Sequence, residues 1–371
     1  MRTILRLLAE RGHDVLAFSA GGFDSGQKPT PDEMLLWSGF SKDAGEALFR
    51  FDDGPVRHFA CATATHQIVK MTSDDFALAA KSYAKVMRDF APDVIITFGA
   101  TAFEENIRQA AVLSGIVSAF YLAHPGYKDA EVFRNIDVIL TDSMATQDLY
   151  WDRFQLRSTV IGKFIARPTA RRPDKATRHV TFINPSYAKG VTLFYRIAEM
   201  MHVMLPSLRF LVVESRSDLQ KVEKQSGIPF SQMRNIRRIG LQTDMAAVFS
   251  RTHVLIMPSL WHESGGRAAI EAISLGIPVL CSNHGGLPEH LGEGALRFDV
   301  PEPLRNTHQL IPPPSVALPW ASALARLWAE PDYWQERSNA AHAQWAHHAP
   351  DGRLQLIEKT FQDCLDARRA V

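Results

Sequence analysis

The chain has 371 residues, with Lys+Arg at 41 against Asp+Glu at 40, a formal charge of +1. Hydrophobic residues at 46% and charged residues at 22% are globular proportions, which exclude a disordered or fibrous chain, and the length favours two domains over one. The balanced charge provides no field to gather nucleic acid, and three scattered cysteines (Cys61, Cys281, Cys364) without a Cys-x-x-Cys pair argue against a disulfide framework and fit a reducing compartment.

The first residues, Met1-Arg-Thr-Ile-Leu-Arg-Leu-Leu8, are too short an apolar run for a signal peptide, and Glu10, Arg11 and His13 follow with no small-residue cleavage site. The spacing predicts a helix over Thr3–Arg11, stopped by Gly12. A doubly wound domain ordinarily opens with a strand, so either its first strand precedes the chain as written, the favoured reading, or the domain is a variant. Strands are predicted at Asp14–Ser19, Val56–Ala60, Asp93–Phe98, Val117–Ala123, Asp137–Thr141 and Thr159–Ile161. Between them Ser73–Phe90 reads as a helix capped by Ser73, with Phe76, Ala80, Tyr83, Val86, Met87 and Phe90 near helical spacing. Further helices are expected at Glu104–Leu113 and Ser143–Arg153, and the weakly polar run Val112–Ala123 is too short to cross a bilayer.

The stretch Gly162–His179 turns polar and basic, and its proline and arginine content reads as a solvated linker. We therefore expect a first domain over residues 1–162, a linker over 163–178, a second domain over 179–352, and a closing helix, 353–371, returning to the first. The second half repeats the βα rhythm. Strands are predicted at Val180–Ile183, Arg209–Glu214, Ile236–Ile239, His253–Met257, Pro278–Ser282 and Ala295–Phe298, with helices at Val191–Met204, Leu219–Ser226, Asp244–Ser250 and Gly266–Leu275. Pro301–Pro314 reads as a proline-rich loop, and three helices follow from Val316. The expected class is α/β, with two doubly wound Rossmann-like domains facing each other across a cleft.

The chemistry concentrates after Met257. A loop carries Trp261, His262, Glu263 and Ser264, and Gly265-Gly266 opens a helix whose free amides and positive dipole end suit an anion. Glu271 lies a little over one turn inside that helix, so Glu263 and Glu271 flank a phosphate-sized site, each able to accept two hydrogen bonds from a vicinal diol. Taken alone, Gly265-Gly266 is as readily a tight turn and Glu271 a solvated helix residue. Gly276-Ile-Pro278 and Gly285-Gly-Leu-Pro-Glu289 just downstream weigh against that reading.

Glu263 to Glu271 matches the Glu-x7-Glu motif of retaining GT-B glycosyltransferases, the large family 4 or group 1 type. The blocks Ala272-Ile-Ser-Leu-Gly-Ile-Pro-Val-Leu280 and Gly285–Glu289 resemble those that follow it there. Upstream, Phe182-Ile-Asn-Pro-Ser-Tyr-Ala-Lys-Gly190 resembles the family's strand-loop ending in Lys-Gly, and Leu8–Val15 the end of its first helix. The resemblance implies the following roles. Lys189 contacts the donor pyrophosphate and stabilises charge on the leaving nucleotide. Glu263 with the amides of Ser264, Gly265 and Gly266 holds the donor sugar and phosphate, Glu271 the ribose hydroxyls, and Gly240-Leu241 the base. His124, at the end of the strand Val117–Ala123, corresponds to a family histidine that reaches the donor sugar near the anomeric centre.

The sequence also departs from the family. Asn184-Pro185 stands where Gly-Arg is usual, removing a cation for which Arg267 is the candidate substitute, and Glu263-Ser-Gly-Gly266 lacks the usual aromatic. The Gly-rich loop after the family's first strand is not found. No Asp-x-Asp motif and no metal-ligand spacing occur, so the expected reaction needs no metal or other cofactor: transfer of a sugar, with retention, from a nucleotide-diphosphate sugar to a glycan or other hydroxyl acceptor. Acceptor choice in the family resides in first-domain loops, here Gly21–Pro55 with Trp37, Phe40, Phe49 and Phe51. The expected partners exclude nucleic acid, and the expected location is the cytosol, with peripheral attachment to the inner face of a membrane left open. Two rival readings are a nucleotide-sugar epimerase and a non-catalytic nucleotide-sugar-binding protein.

Overall fold

The computed structural model describes residues 1–21, 48–61, 63, 70–170, 178–215 and 217–370. They fall into two compact units, one of Met1–Tyr121, Lys128–Leu140 and Leu354–Val371, the other of Leu122–Tyr127 and Thr141–Arg353. Trp37 and Phe40 lie outside the described residues.

The first unit opens on helix α1 (Arg2–Glu10), which buries Ile4 and Leu8. Strand β1 (Leu16–Ser19) then pairs in parallel with β3 (Val56–Cys61), and β2 (Leu48–Asp53) pairs with β3 antiparallel. β2 corrects the expectation of a loop reaching to Pro55. Asp53 pairs with Val56, and Gly54-Pro55, with Gly54 at φ +62°, form the two-residue connection of this hairpin. Phe51 stacks on His58 in that hairpin, ring centres 4.5 Å apart.

Helix α2 (Ser73–Phe90) is capped by Thr72, one residue before the expected Ser73. Thr72 Oγ1 accepts from Asp75 N, and the Asp75 carboxylate accepts from Thr72 N at 2.9 Å, a reciprocal capping box. β4 (Val94–Thr97), α3 (Ala102–Leu113), β5 (Val117–Leu122) and β6 (Val138–Thr141) follow as predicted. β5 is buried along its whole length, as a central parallel strand must be.

In the second unit, α4 (Met144–Phe154) and β7 (Thr159–Val160) precede an all-parallel sheet. Its strands and the helices between them run β8 (His179–Ile183), α5 (Val191–Met204), β9 (Phe210–Val213), α6 (Leu219–Ser226), β10 (Ile236–Ile239), α7 (Met245–Phe249), β11 (Thr252–Met257), α8 (Arg267–Ser274), β12 (Val279–Ser282), α9 (Leu287–Leu291) and β13 (Ala295–Phe298). The strand order is β10-β9-β8-β11-β12-β13. Each strand registers in parallel with its neighbour, so this is the doubly wound order, and it reverses between β8 and β11.

The core on one face of the sheet is aromatic: Phe194 stacks on Phe182 at 4.5 Å and meets Phe210 edge-on at 5.2 Å, with Trp320 fully buried nearby. Within the stretch read as a proline-rich loop, Glu302–Asn306 forms a short helix, α10, because Pro301 and Pro303 occupy its first positions, where a missing N–H costs nothing. α11 (Pro314–Ala329), α12 (Pro331–Trp345) and α13 (Asp351–Arg369) close the chain.

From Leu354 onward α13 belongs to the first unit, where Nε and Nη2 of Arg11 meet Glu358 at 2.7 Å and Arg368 reaches Asp137 at 2.7 Å. The hydrogen bonds from Arg11, together with His13, hold the Glu358 carboxyl down at about 2. Among the described residues no helix is long and apolar enough to cross a membrane.

Candidate functional site

Open α/β sheets bind ligands beyond the carboxyl ends of the strands where their order reverses. In the second unit that point lies between β8, which leads to Lys189, and β11, which leads to Glu263.

The loop after β8 begins at Asn184, at φ +61°. Asparagine is among the few residues that tolerate this left-handed conformation, which accounts for its standing where the resembled family has glycine. The loop ends on Gly190, at φ +79°, where an added Cβ would lie 1.8 Å from the carbonyl oxygen of Pro258. The two loops are stitched together here: the amides of Leu260 and Trp261 both donate to Ala188 O, at 3.0 and 2.9 Å. Gly190→Ala is therefore expected to destabilise the fold by about 3 kcal/mol or more. Gly227→Ala, at φ +71° but in open space, should cost only about 1 kcal/mol. Urea unfolding of both variants checks the contrast.

Within this frame Lys189 Nζ binds Glu263 Oε1, and the buried Ser259 Oγ donates to the same oxygen at 2.7 Å. Glu263 is buried and Lys189 partly so, which makes them a desolvated pair with one face open to solvent. Gly266, at φ +57°, ends the loop and gives α8 no side-chain cap, so the first amides of the helix are left without a side-chain acceptor. Glu271 is largely buried, and burial raises its carboxyl, opposed by Arg267, whose Nε is 3.8 Å away. Arg267 itself is largely exposed.

The Gly285-Gly286 turn packs on the same loop. Gly286 N donates to Glu263 O at 2.7 Å, and a Cβ on Gly285 or Gly286 would meet the backbone of Glu263 or Ser264 within 2.7 Å. Glu289 continues that turn and accepts from Met144 N at 2.8 Å, satisfying an amide at the start of α4.

His124 is brought near the loop. Its ring lies 5.5 Å from that of Trp261, Nδ1 accepts from Gly126 N at 3.0 Å, and its carbonyl accepts from Tyr150 Oη at 2.7 Å. Burial lowers its pKa, favouring a neutral ring whose Nε2 carries the proton. Gly240 and Leu241 follow β10, with Leu241 exposed, and neither bonds to the other candidate residues.

Three site residues were missed from the sequence. Ser259 fixes Glu263, His262 meets Thr146 Oγ1 at 3.3 Å, and Asp142 binds both Lys163 and Ser264. Lys163 had been read as linker; its ammonium lies 2.6 Å from Asp142 Oδ2. Only the Pro258-Ser259 pair after a buried strand could have signalled one of these contacts.

Residues 178–310 match the family described as Glycosyl transferases group 1, which covers the stretch holding Lys189, Glu263 and Glu271. Over 75 residues the chain is 35% identical to an uncharacterized 41.2 kDa protein in the cps region of Klebsiella pneumoniae, a match spanning 20% of this chain and 19% of that relative. Among solved structures it resembles a sucrose-phosphate synthase from Thermosynechococcus elongatus (14% identity, 99% of this chain and 92% of that one, TM-score 0.68). It also resembles a glycosyltransferase from Rickettsia africae (13%, 98% and 93%, TM-score 0.67) and Anabaena HepE in complex with UDP-glucose (14%, 95% and 100%, TM-score 0.64). At these identities the likeness establishes the architecture: the chain has the GT-B fold expected from its sequence.

Proposed function

We propose that this chain is a retaining glycosyltransferase that moves a sugar from a nucleoside-diphosphate donor to a hydroxyl acceptor, in the cytosol, during assembly of a cell-surface glycan. The observation that carries the reading is the Lys189–Glu263 pair at the point where the sheet order reverses, beside the uncapped start of α8. The group 1 match over residues 178–310 supports it, as does the cps-region relative.

In this reading Lys189 and the α8 amides take the donor pyrophosphate, Glu271 the ribose hydroxyls, Gly240-Leu241 the base, and Glu263 with His124 the sugar. The bond from the anomeric carbon to the phosphate oxygen breaks as the acceptor oxygen attacks the same face, and the departing phosphate takes the acceptor proton. Lys189 and the helix amides neutralise the leaving group without a metal. Turnover is accordingly expected to survive excess EDTA, and proton NMR of fresh product should show the donor's anomeric configuration kept. An inverted product would end the retaining assignment.

The lost cation at Asn184-Pro185 favours one alternative, a protein that binds the donor without turning it over. A thermal-shift panel of UDP, GDP, ADP and dTDP opens the test, since ligand at 100 times its Kd stabilises by about 2.7 kcal/mol. One nucleotide shifting the wild type but not Lys189→Ala identifies the donor base. Shift without turnover on any acceptor selects the alternative.

A further inference from the structure

Asp142, at the carboxyl end of β6, is fully buried, and two segments of the second unit, one carrying Lys163 and one carrying Ser264, converge on it. Lys163 Nζ lies 2.6 Å from Oδ2, and Ser264 Oγ lies 3.0 Å from the same oxygen and 2.9 Å from Ala123 O, sharing its one proton between two acceptors. The stem of Lys163 runs across Gly265, whose added Cβ would meet three of its carbons at 3.1–3.2 Å. Lys163 is held in turn through its own carbonyl, which accepts from Arg353 at 3.0 Å.

Burying a carboxylate without partners is costly, and one that accepts from both Lys163 and the Ser264 hydroxyl ties the 263–266 loop to the segment carrying Lys163 in one conformation. The loop so fixed is the one that carries Glu263 and leads into the start of α8, which has no side-chain cap.

We propose that Asp142 is the positioning residue of the donor site: through Ser264 and Lys163 it holds the 263–266 loop in the conformation that receives the donor phosphate. This rests on the glycosyltransferase reading for the ligand, though the positioning itself is a property of the free protein. Asp142→Asn keeps the shape and removes the charge. Lys163→Met keeps the stem over Gly265 and removes the ammonium.

Hydrogen exchange of the full-length chain, followed in peptides covering residues 258–270, reads the loop directly. Peptides from 191–204, in the core helix α5, read the fold. Exchange at 258–270 in Asp142→Asn should rise by about tenfold with 191–204 unchanged, and Lys163→Met should move the same peptides in the same direction. Binding of the nucleoside diphosphate identified for the wild type should weaken by about tenfold in Asp142→Asn. Loop exchange equal to wild type in Asp142→Asn overturns the proposal, and so does equal acceleration in 191–204, which would make Asp142 a general support of the fold. A wild type that binds no nucleoside diphosphate defeats the glycosyltransferase reading alone, and the exchange result still decides on Asp142.

Discussion

Lys189→Ala should lower kcat/KM for sugar transfer by about a hundredfold to a thousandfold, the range seen when one charge-stabilising donor is lost from a desolvated site. The same change leaves the Glu263 carboxylate buried with only Ser259 for company, so it should also destabilise the fold. For a fully buried pair that cost is about 3–5 kcal/mol; with Lys189 part-exposed, about 1–3 kcal/mol is expected. The two effects separate in a double-mutant cycle. Adding Glu263→Gln to Lys189→Ala removes the orphaned charge and should recover most of the stability while recovering none of the activity. If the single variant keeps activity within a factor of about two of wild type, Lys189 does not touch the leaving group and the donor site has been misplaced.

The second unit was readable because its sheet is buried on both faces. Phe210–Val213 is apolar throughout and Val279–Ser282 is apolar but for its last residue, and each is followed by a helix with a turn signal before it. β2 escaped because Arg50, Asp52 and Asp53 make an edge strand look like a polar loop, and the connecting pair Gly54-Pro55 is not one of the usual hairpin pairs. Residues 302–306 were masked by their own prolines, which break helices in the middle but start them well. The site divides along a different line. Glu263, Glu271 and Lys189 were visible as local patterns, since each follows a strand at a fixed distance. Asp142 and Ser264 are 122 positions apart, Thr146 and His262 are 116 apart, and neither pair leaves any local trace. Lys163 shows the same limit from the other side: composition made it linker, and a single buried carboxylate made it part of the site's support.

Stability should fall steeply with acid, and three histidines, His290 buried and His253 and His262 partly buried, lead the expected slope. His253 stacks flat on Trp334, ring centres 4.8 Å apart. His262 lies against His284 beside Thr146, and His290 lies against His348. Burial, reinforced by Arg178, His284 and His348 respectively, holds each at about 4, against an ordinary value of 6.5. Above pH 6.5 all three are neutral in both states and their contribution is fully present. As pH falls from 6.5 toward 4 the unfolded chain takes up protons that the folded chain refuses, so the contribution is lost.

Each such group gives about 1.4 kcal/mol per pH unit, hence about 4 kcal/mol per unit for the three together once the unfolded chain is protonated. Glu271 and Glu289, whose carboxyls burial raises, work in the opposite direction as pH falls through their raised values. His124, His284 and His348, which burial also lowers, add to the histidine slope. With an ordinary stability of about 5–15 kcal/mol, the second unit should unfold cooperatively near pH 4–5. Urea unfolding at half-unit pH steps measures the slope. His253→Phe, which keeps a ring beside Trp334 but cannot titrate, should reduce it by about 1.4 kcal/mol per pH unit. A stability curve flat from pH 7 to 5 would show that these rings ionise freely in the folded chain, and that the packing around His262 is looser than the contacts with Thr146 and His284 imply.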